Sequence, residues 1–196
     1  AHLYCYDKVF YLANDKLNGY TRLDPTGIKP TDDADRIRSM AGFHQGGGGH
    51  ITLAVANRQI GYSAWIDRQG ENSGRVDVTR IKPGGNTQIE ATFQLPHGGI
   101  HGATANQGKV FFAPADGICW MLASSPPASS SAPPKIHHLS LGEVDGKPVR
   151  TGGFTTFERY VFFTTGSGSH ATLNFIDAAA SQVKVTRIPI KMAEGN

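Results

Sequence analysis

Four hydrophobic segments recur at nearly constant spacing along this 196-residue chain. Lys8-Val9-Phe10-Tyr11, Gln59-Ile60-Gly61-Tyr62, Lys109-Val110-Phe111-Phe112 and Tyr160-Val161-Phe162-Phe163 align on β-branched anchors that lie 51, 50 and 51 residues apart. An aromatic follows each anchor by two residues, at Tyr11, Tyr62, Phe112 and Phe163, and a turn-like cluster such as Asn57-Arg58-Gln59 or Asn106-Gln107-Gly108 precedes it. Four coincidences in phase argue a structural unit. A repeat of this kind decides the fold, so it is read before any local propensity.

Within each unit short apolar stretches alternate with turn residues. The pattern predicts strands over 2–6, 9–13, 18–23 and 34–40 in the first unit and over 50–56, 59–65, 75–81 and 87–95 in the second. In the third they fall at 101–106, 109–113, 117–122 and 135–141, and in the fourth at 152–157, 160–165, 171–177 and 183–190. Val76, Val78 and Ile81 with polar residues between them show the alternation of a half-buried strand. No segment keeps a 3.6-residue apolar period over three turns, so almost no helix is expected. About 50 residues and four strands per unit are the signature of an all-β β-propeller with four four-stranded blades, approximately 1–40, 41–95, 96–141 and 142–196. Four blades can close a ring alone, or they can form part of a seven- or eight-bladed one. The repeat phase favours the second reading slightly, because the first unit starts on an innermost strand and the last ends after an outermost one. The Pro/Ser-rich stretch 124–134 interrupts the third unit and reads as a surface loop.

Composition removes several function classes. A hydrophobic fraction of 39% excludes a disordered chain. No apolar run approaches the roughly 20 residues that span a bilayer, so no membrane span is expected. The net charge of +3 is scattered rather than clustered with aromatics, which argues against a nucleic-acid groove. Cys5 and Cys119 stand alone, without the paired spacing of zinc ribbons, thioredoxin-like redox motifs or c-type haem, and on strands of different units no disulfide between them is expected. The chain begins at Ala1 and enters strand-like sequence almost at once, as a mature secreted chain or a fragment would.

The chemistry concentrates in the histidines. His44 and His50 flank Gln45-Gly46-Gly47-Gly48-Gly49 in the connection into the second unit, and His97 and His101 bracket Gly98-Gly99-Ile100 in the matching connection into the third. Such connections gather on one face around a propeller's channel mouth. Imidazoles converging there supply what a borderline divalent ion needs, zinc first and copper as the alternative. Glycine lets the backbone bend tightly around the ion. His2, which also precedes an innermost strand, is a further contributor, and Asp67, Glu71, Asp116 or Glu158 could complete the set. His137 and His138 are adjacent on a strand and face opposite sides, while His170 lies in a solvated hairpin. No G-x-S-x-G elbow and no phosphate-binding loop is present, so the question of catalysis stays open and leans toward a non-catalytic role.

The third unit, with Ile100-His101-Gly102 followed by Asp116-Gly117-Ile118, resembles the periplasmic zinc-metallochaperone β-propellers that serve zinc importers, and Gly49-His50 fits the same style. Ala103 departs from that pattern, where an acidic residue is expected, and the chain is about half the family's length. The resemblance implies a histidine-built zinc site at the channel mouth carried foremost by His101 and His50. The resulting expectation is a periplasmic or secreted propeller that binds a divalent metal through His50 and His101, with His44 and His97 supporting or exchanging, and hands it to a transfer partner. The alternative is an interaction scaffold within a larger protein assembly, using the loop face and the 124–134 stretch. A copper-holding oxidoreductase propeller ranks last, since it needs more histidines per site.

Overall fold

The computed structural model describes residues 2–123 and 133–189, so most of the expected 124–134 loop, residues 124–132, lies outside the described residues. The chain is all-β. Four antiparallel four-stranded sheets succeed one another along the sequence, each with its strands in sequential order. The first contains β1 (Leu3–Tyr6), β2 (Val9–Asn14), β3 (Gly19–Leu23) and β4 (Gly42–Gln45). The second contains β5 (Thr52–Ala56), β6 (Ile60–Ala64), β7 (Arg75–Arg80) and β8 (Ala91–Gln94). The third contains β9 (Ala103–Asn106), β10 (Lys109–Phe112), β11 (Ile118–Leu122) and β12 (His137–Leu139). A small hairpin of β13 (Glu143–Val144) and β14 (Lys147–Pro148) precedes the fourth sheet, which contains β15 (Thr155–Phe157), β16 (Tyr160–Thr165), β17 (Thr172–Asp177) and β18 (Val185–Pro189).

The four anchors Val9, Ile60, Val110 and Val161 all fall on the second strand of their sheets and are all buried. The turns before them explain the constant phase. A two-residue hairpin of the I′ kind needs positive φ at both central residues. Asp7-Lys8 (49° and 67°) and Gln107-Gly108 (49° and 70°) meet that requirement, and Asn57-Arg58 takes the same conformation in a turn one residue longer.

One expected strand is not a strand. Residues 34–40 contain the helix α1 (Ala34–Ser39), and the fourth strand of the first sheet is β4, further along. The Asp33 side chain accepts a hydrogen bond from the Arg36 amide at 2.7 Å and so caps the helix, while Asp35 opens its first turn and Arg36 and Arg38 close its last. Within the described residues no helix is long and apolar enough to cross a membrane.

The sheets stack face to face in chain order through three apolar layers. Val9, Tyr11 and Tyr20 of the first sheet pack on Leu53, Val55 and Ile81. Tyr62, Val76 and Val78 pack on Val110, Phe112 and Met121. Phe111 and Ile118 turn to the other side and meet Val161, Phe163 and Ile176 of the fourth sheet. Period-2 alternation along β10 thus sends Phe111 and Phe112 into different layers. Truncating either fully buried ring would cost about 3–5 kcal/mol. The first strands of the sheets come together on one side. The Tyr4 and Tyr6 hydroxyls donate to the Ile51 and Leu53 carbonyls at 3.2 and 2.8 Å, β5 runs against β9, and β9 touches β15. They wall a groove of about 480 Å³ with His2 and His101 in its lining. The architecture is propeller-like.

Candidate functional site

Three of the histidines meet where β1, β5 and β9 begin. His2 precedes β1, His50 precedes β5 and His101 precedes β9; His2 and His101 line the groove, and His50 lies against both of them. His2 Nε2 and His50 Nε2 lie 2.6 Å apart, and the His50 and His101 ring centres are 5.3 Å apart. The run before His50 is shaped by glycine. Gly47 and Gly49 have φ of 77° and 74°, and a Cβ on Gly48 would stand 2.1 Å from the Trp65 ring. The Gly47 amide is held by Asp77 Oδ2 at 2.9 Å. The glycines therefore let the chain bend against Trp65 and turn His50 toward His2.

Two of the rings have a defined orientation. His101 Nδ1 is 2.8 Å from the Gly152 carbonyl, which only accepts, so Nδ1 carries the proton and Nε2 keeps its lone pair. His50 turns Nδ1 toward Asp15 Oδ2 at 3.6 Å and Nε2 toward His2. A carboxylate or carbonyl behind an imidazole, with the opposite nitrogen aimed at a common point, is the usual arrangement around a metal-ligating histidine. Burial, followed by the neighbouring His50, holds His2 below the ordinary imidazole range, so it stays neutral and able to donate a lone pair. Burial pushes Asp15 up, but the 3.0 Å hydrogen bond from the Ile51 amide and further lowering contacts, His50 among them, together outweigh it and the carboxyl titrates below its ordinary value.

The donor set of three imidazoles backed by a carboxylate matches zinc chemistry. Bonds of about 2.0–2.1 Å place two imidazole nitrogens about 3.3 Å apart and their ring centres about 5 Å apart. The His50–His101 pair already has that separation. The His2–His50 pair is closer, a hydrogen bond, and would open by about 0.7 Å to admit an ion. Among the described residues no group of three or more His, Cys, Asp or Glu side chains already stands at coordination spacing.

The other two histidines singled out in the sequence lie elsewhere. His44 is on β4 and fully buried, with Nδ1 2.7 Å from Thr87 Oγ1 and its ring against Tyr20. His97, in the connection between β8 and β9, pairs with Asp116. Of the acidic candidates, Asp67 is committed to its own turn, accepting from the Gln69, Gly70 and Asn72 amides. Asp15 was not legible as a partner, although one signal exists: it follows Val9 by six residues as Asp116 follows Val110. Both acids occupy the turn between the second and third strands of their sheets.

Burial, and then the charge of Arg22, lowers His44 from 6.5 to about 4. The unfolded chain therefore binds this proton first as pH falls, so the stabilising contribution is complete above about 6.5 and is lost toward 4. Between about pH 7 and about pH 4.5 the protein is expected to lose roughly 2–3 kcal/mol on this account. Urea unfolding at both pH values checks it: His44→Gln should flatten that part of the slope, and equal slopes in the two proteins would refute the assignment.

The likeness to the periplasmic zinc-metallochaperone propellers, carried in the sequence by Ile100-His101-Gly102 and Asp116-Gly117-Ile118, extends to the fold. Apo AztD from Citrobacter koseri matches with a TM-score of 0.56 at 12% identity, over 97% of this chain and 48% of that one. A further crystal structure of Citrobacter koseri AztD gives 0.55 at 12% identity, over 98% and 48%. The PQQ-bound aldose sugar dehydrogenase from Streptomyces coelicolor gives 0.50 at 13% identity, over 95% and 61%. At these identities the likeness is one of fold, and the chain spans about half the length of AztD. No family model and no curated protein sequence matches the chain.

Proposed function

We propose that this protein binds a divalent metal ion, zinc, through His2, His50 and His101 at the end of the groove, and passes it to a protein partner in the periplasm or outside the cell. The observation that carries this reading is the convergence of three imidazoles from the starts of three successive sheets, with His101 and His50 oriented by the Gly152 carbonyl and by Asp15. Three protein nitrogens leave a fourth position of a tetrahedral ion open. A partner's ligand can take that position before the protein releases its own, which suits hand-over and requires no chemistry on the cargo. His44 supports the first sheet, and His97 lies outside the three-histidine set. Copper(II) would compete for the same nitrogens, since affinity for such donors rises toward copper.

In the same reading the four sheets are blades of a larger ring. This is supported by the outward face of the first sheet, where the pairs Leu3–Leu12 and Cys5–Phe10 place four apolar or weakly polar side chains together in the open. A further blade, or another member of a larger assembly, would cover that face.

Elemental mass spectrometry of the purified chain tests the site. At least one zinc per chain is expected after reloading, removable by a chelator, with His101→Ala reducing the content and the exposed His170→Ala leaving it unchanged. No stoichiometric metal after reloading, or equal small losses in both variants, would overturn the reading. Native mass of the same sample bears on the ring: self-association is expected of an open apolar face, and a clean monomer counts against it.

A further inference from the structure

A second cluster of metal-binding side chains lies on the third sheet and is not used by the site above. His97 comes from the connection between β8 and β9, Asp116 from the turn between β10 and β11, and His138 from β12. Asp116 Oδ2 contacts His97 Nδ1 on one side and lies 3.1 Å from His138 Nε2 on the other. The two rings meet edge to face with centres 6.3 Å apart. We propose that His97, Asp116 and His138 form a second divalent-cation site, independent of the three-histidine cluster.

Two observations support it. Asp116 is 16% exposed at its side chain, and its other oxygen, Oδ1, is buried without a hydrogen-bond partner among the described residues. A buried carboxylate oxygen left unpaired is costly, and a cation taken by both oxygens removes that cost. The turn is also built for close approach. Gly117 has φ of 148°, and a Cβ there would stand 2.4 Å from the Leu139 carbonyl and 3.1 Å from His138 Nε2. Only glycine lets Asp116 and His138 share this space.

Two imidazoles and one carboxylate with remaining positions open form a set used for zinc and for iron(II). Binding needs each ring to turn a lone-pair nitrogen to the ion, and Asp116 is already the common neighbour of both. His97 is 59% exposed, so this site opens to solvent. His97 and His101 are four residues apart on one connection, so a single segment joins the solvent-open cluster to the groove cluster.

Calorimetric titration of the folded chain with zinc, repeated with cobalt(II) to read ligand-field absorption, separates the sites. Two ions per chain are expected. Asp116→Asn and His138→Gln should each abolish one of them, or weaken it by at least about 10-fold, while leaving the other, which His50→Ala removes. Thermal melts identify any variant that fails to fold, and two independent variants keep the test decisive. If both variants titrate as the unaltered protein does, the proposal is overturned and the cluster is a hydrogen-bonded clasp. If a single ion binds and is lost in Asp116→Asn but not in His50→Ala, this site stands and the groove site fails. If it is lost only in His50→Ala, the second site is refuted.

Discussion

Replacing His50 by alanine is expected to weaken zinc binding at the groove end by about 100-fold or more, the largest effect of any single imidazole. His50 is the middle member of the cluster: its Nε2 faces His2, its ring stands 5.3 Å from His101, and its Nδ1 is turned to Asp15. Its loss leaves His2 and His101 without the group that links them. Asp15→Asn should have a smaller effect, about 10- to 100-fold, because it leaves all three nitrogens in place and alters only the orientation and basicity of one. Competition against a chromophoric chelator reads both values, and the order matters as much as the size. An Asp15→Asn loss as large as that of His50→Ala would make the carboxylate a direct ligand. An unchanged affinity in His50→Ala would remove the groove site altogether.

The site was half legible in the sequence for a physical reason. Strand repeats report burial, and burial is what the anchors measure: Val9, Ile60, Val110 and Val161 each sit on the face of a sheet that packs against a neighbouring sheet. Whatever lies at the start of an innermost strand inherits that phase, which is why His50 and His101 could be paired from spacing, with His2 as a further member. His44 shares the glycine-rich neighbourhood but not the phase. It belongs to β4, whose position was hidden because α1 occupies the stretch expected to be the outer strand. The helix signals there, Asp33 as cap and Arg36 and Arg38 at the end, are polar and local, and a search for apolar periodicity passes over them. His97 and Asp116 come together across a turn and a connection, a pairing no linear spacing announces. The hairpin of β13 and β14 escaped for the converse reason. It is two residues a side, exposed, and marked only by the Asp145-Gly146 turn with φ of 52° and 70°.

The groove site depends on one buried carboxylate that lies outside it, and removing this group should have a large effect on stability. Asp77 on β7 is completely buried. Its Oδ2 accepts from the Gly47 amide at 2.9 Å and from the Trp65 indole at 2.8 Å, and its Oδ1 accepts from Arg75 Nε at 2.8 Å. Arg75 in turn lies 5.1 Å over the Trp65 ring. Asp77→Ala would strand two donors and a half-buried guanidinium at once, a cost of about 3–5 kcal/mol in urea unfolding. Trp65→Phe removes one hydrogen bond but keeps most of the ring that fills the space above Gly48, so about 1–2 kcal/mol is expected. The two variants should also differ in metal affinity. Gly47 loses its anchor only when Asp77 is removed, and His50 follows three residues later on a segment with two positive-φ glycines. A folded Asp77→Ala protein should therefore bind zinc more weakly than Trp65→Phe does. If Asp77→Ala loses less than about 1 kcal/mol, the carboxylate is not what holds the glycine run. If it loses stability but binds zinc normally, the three imidazoles are positioned by their own strands, and the glycine-rich bend serves only to pack against Trp65.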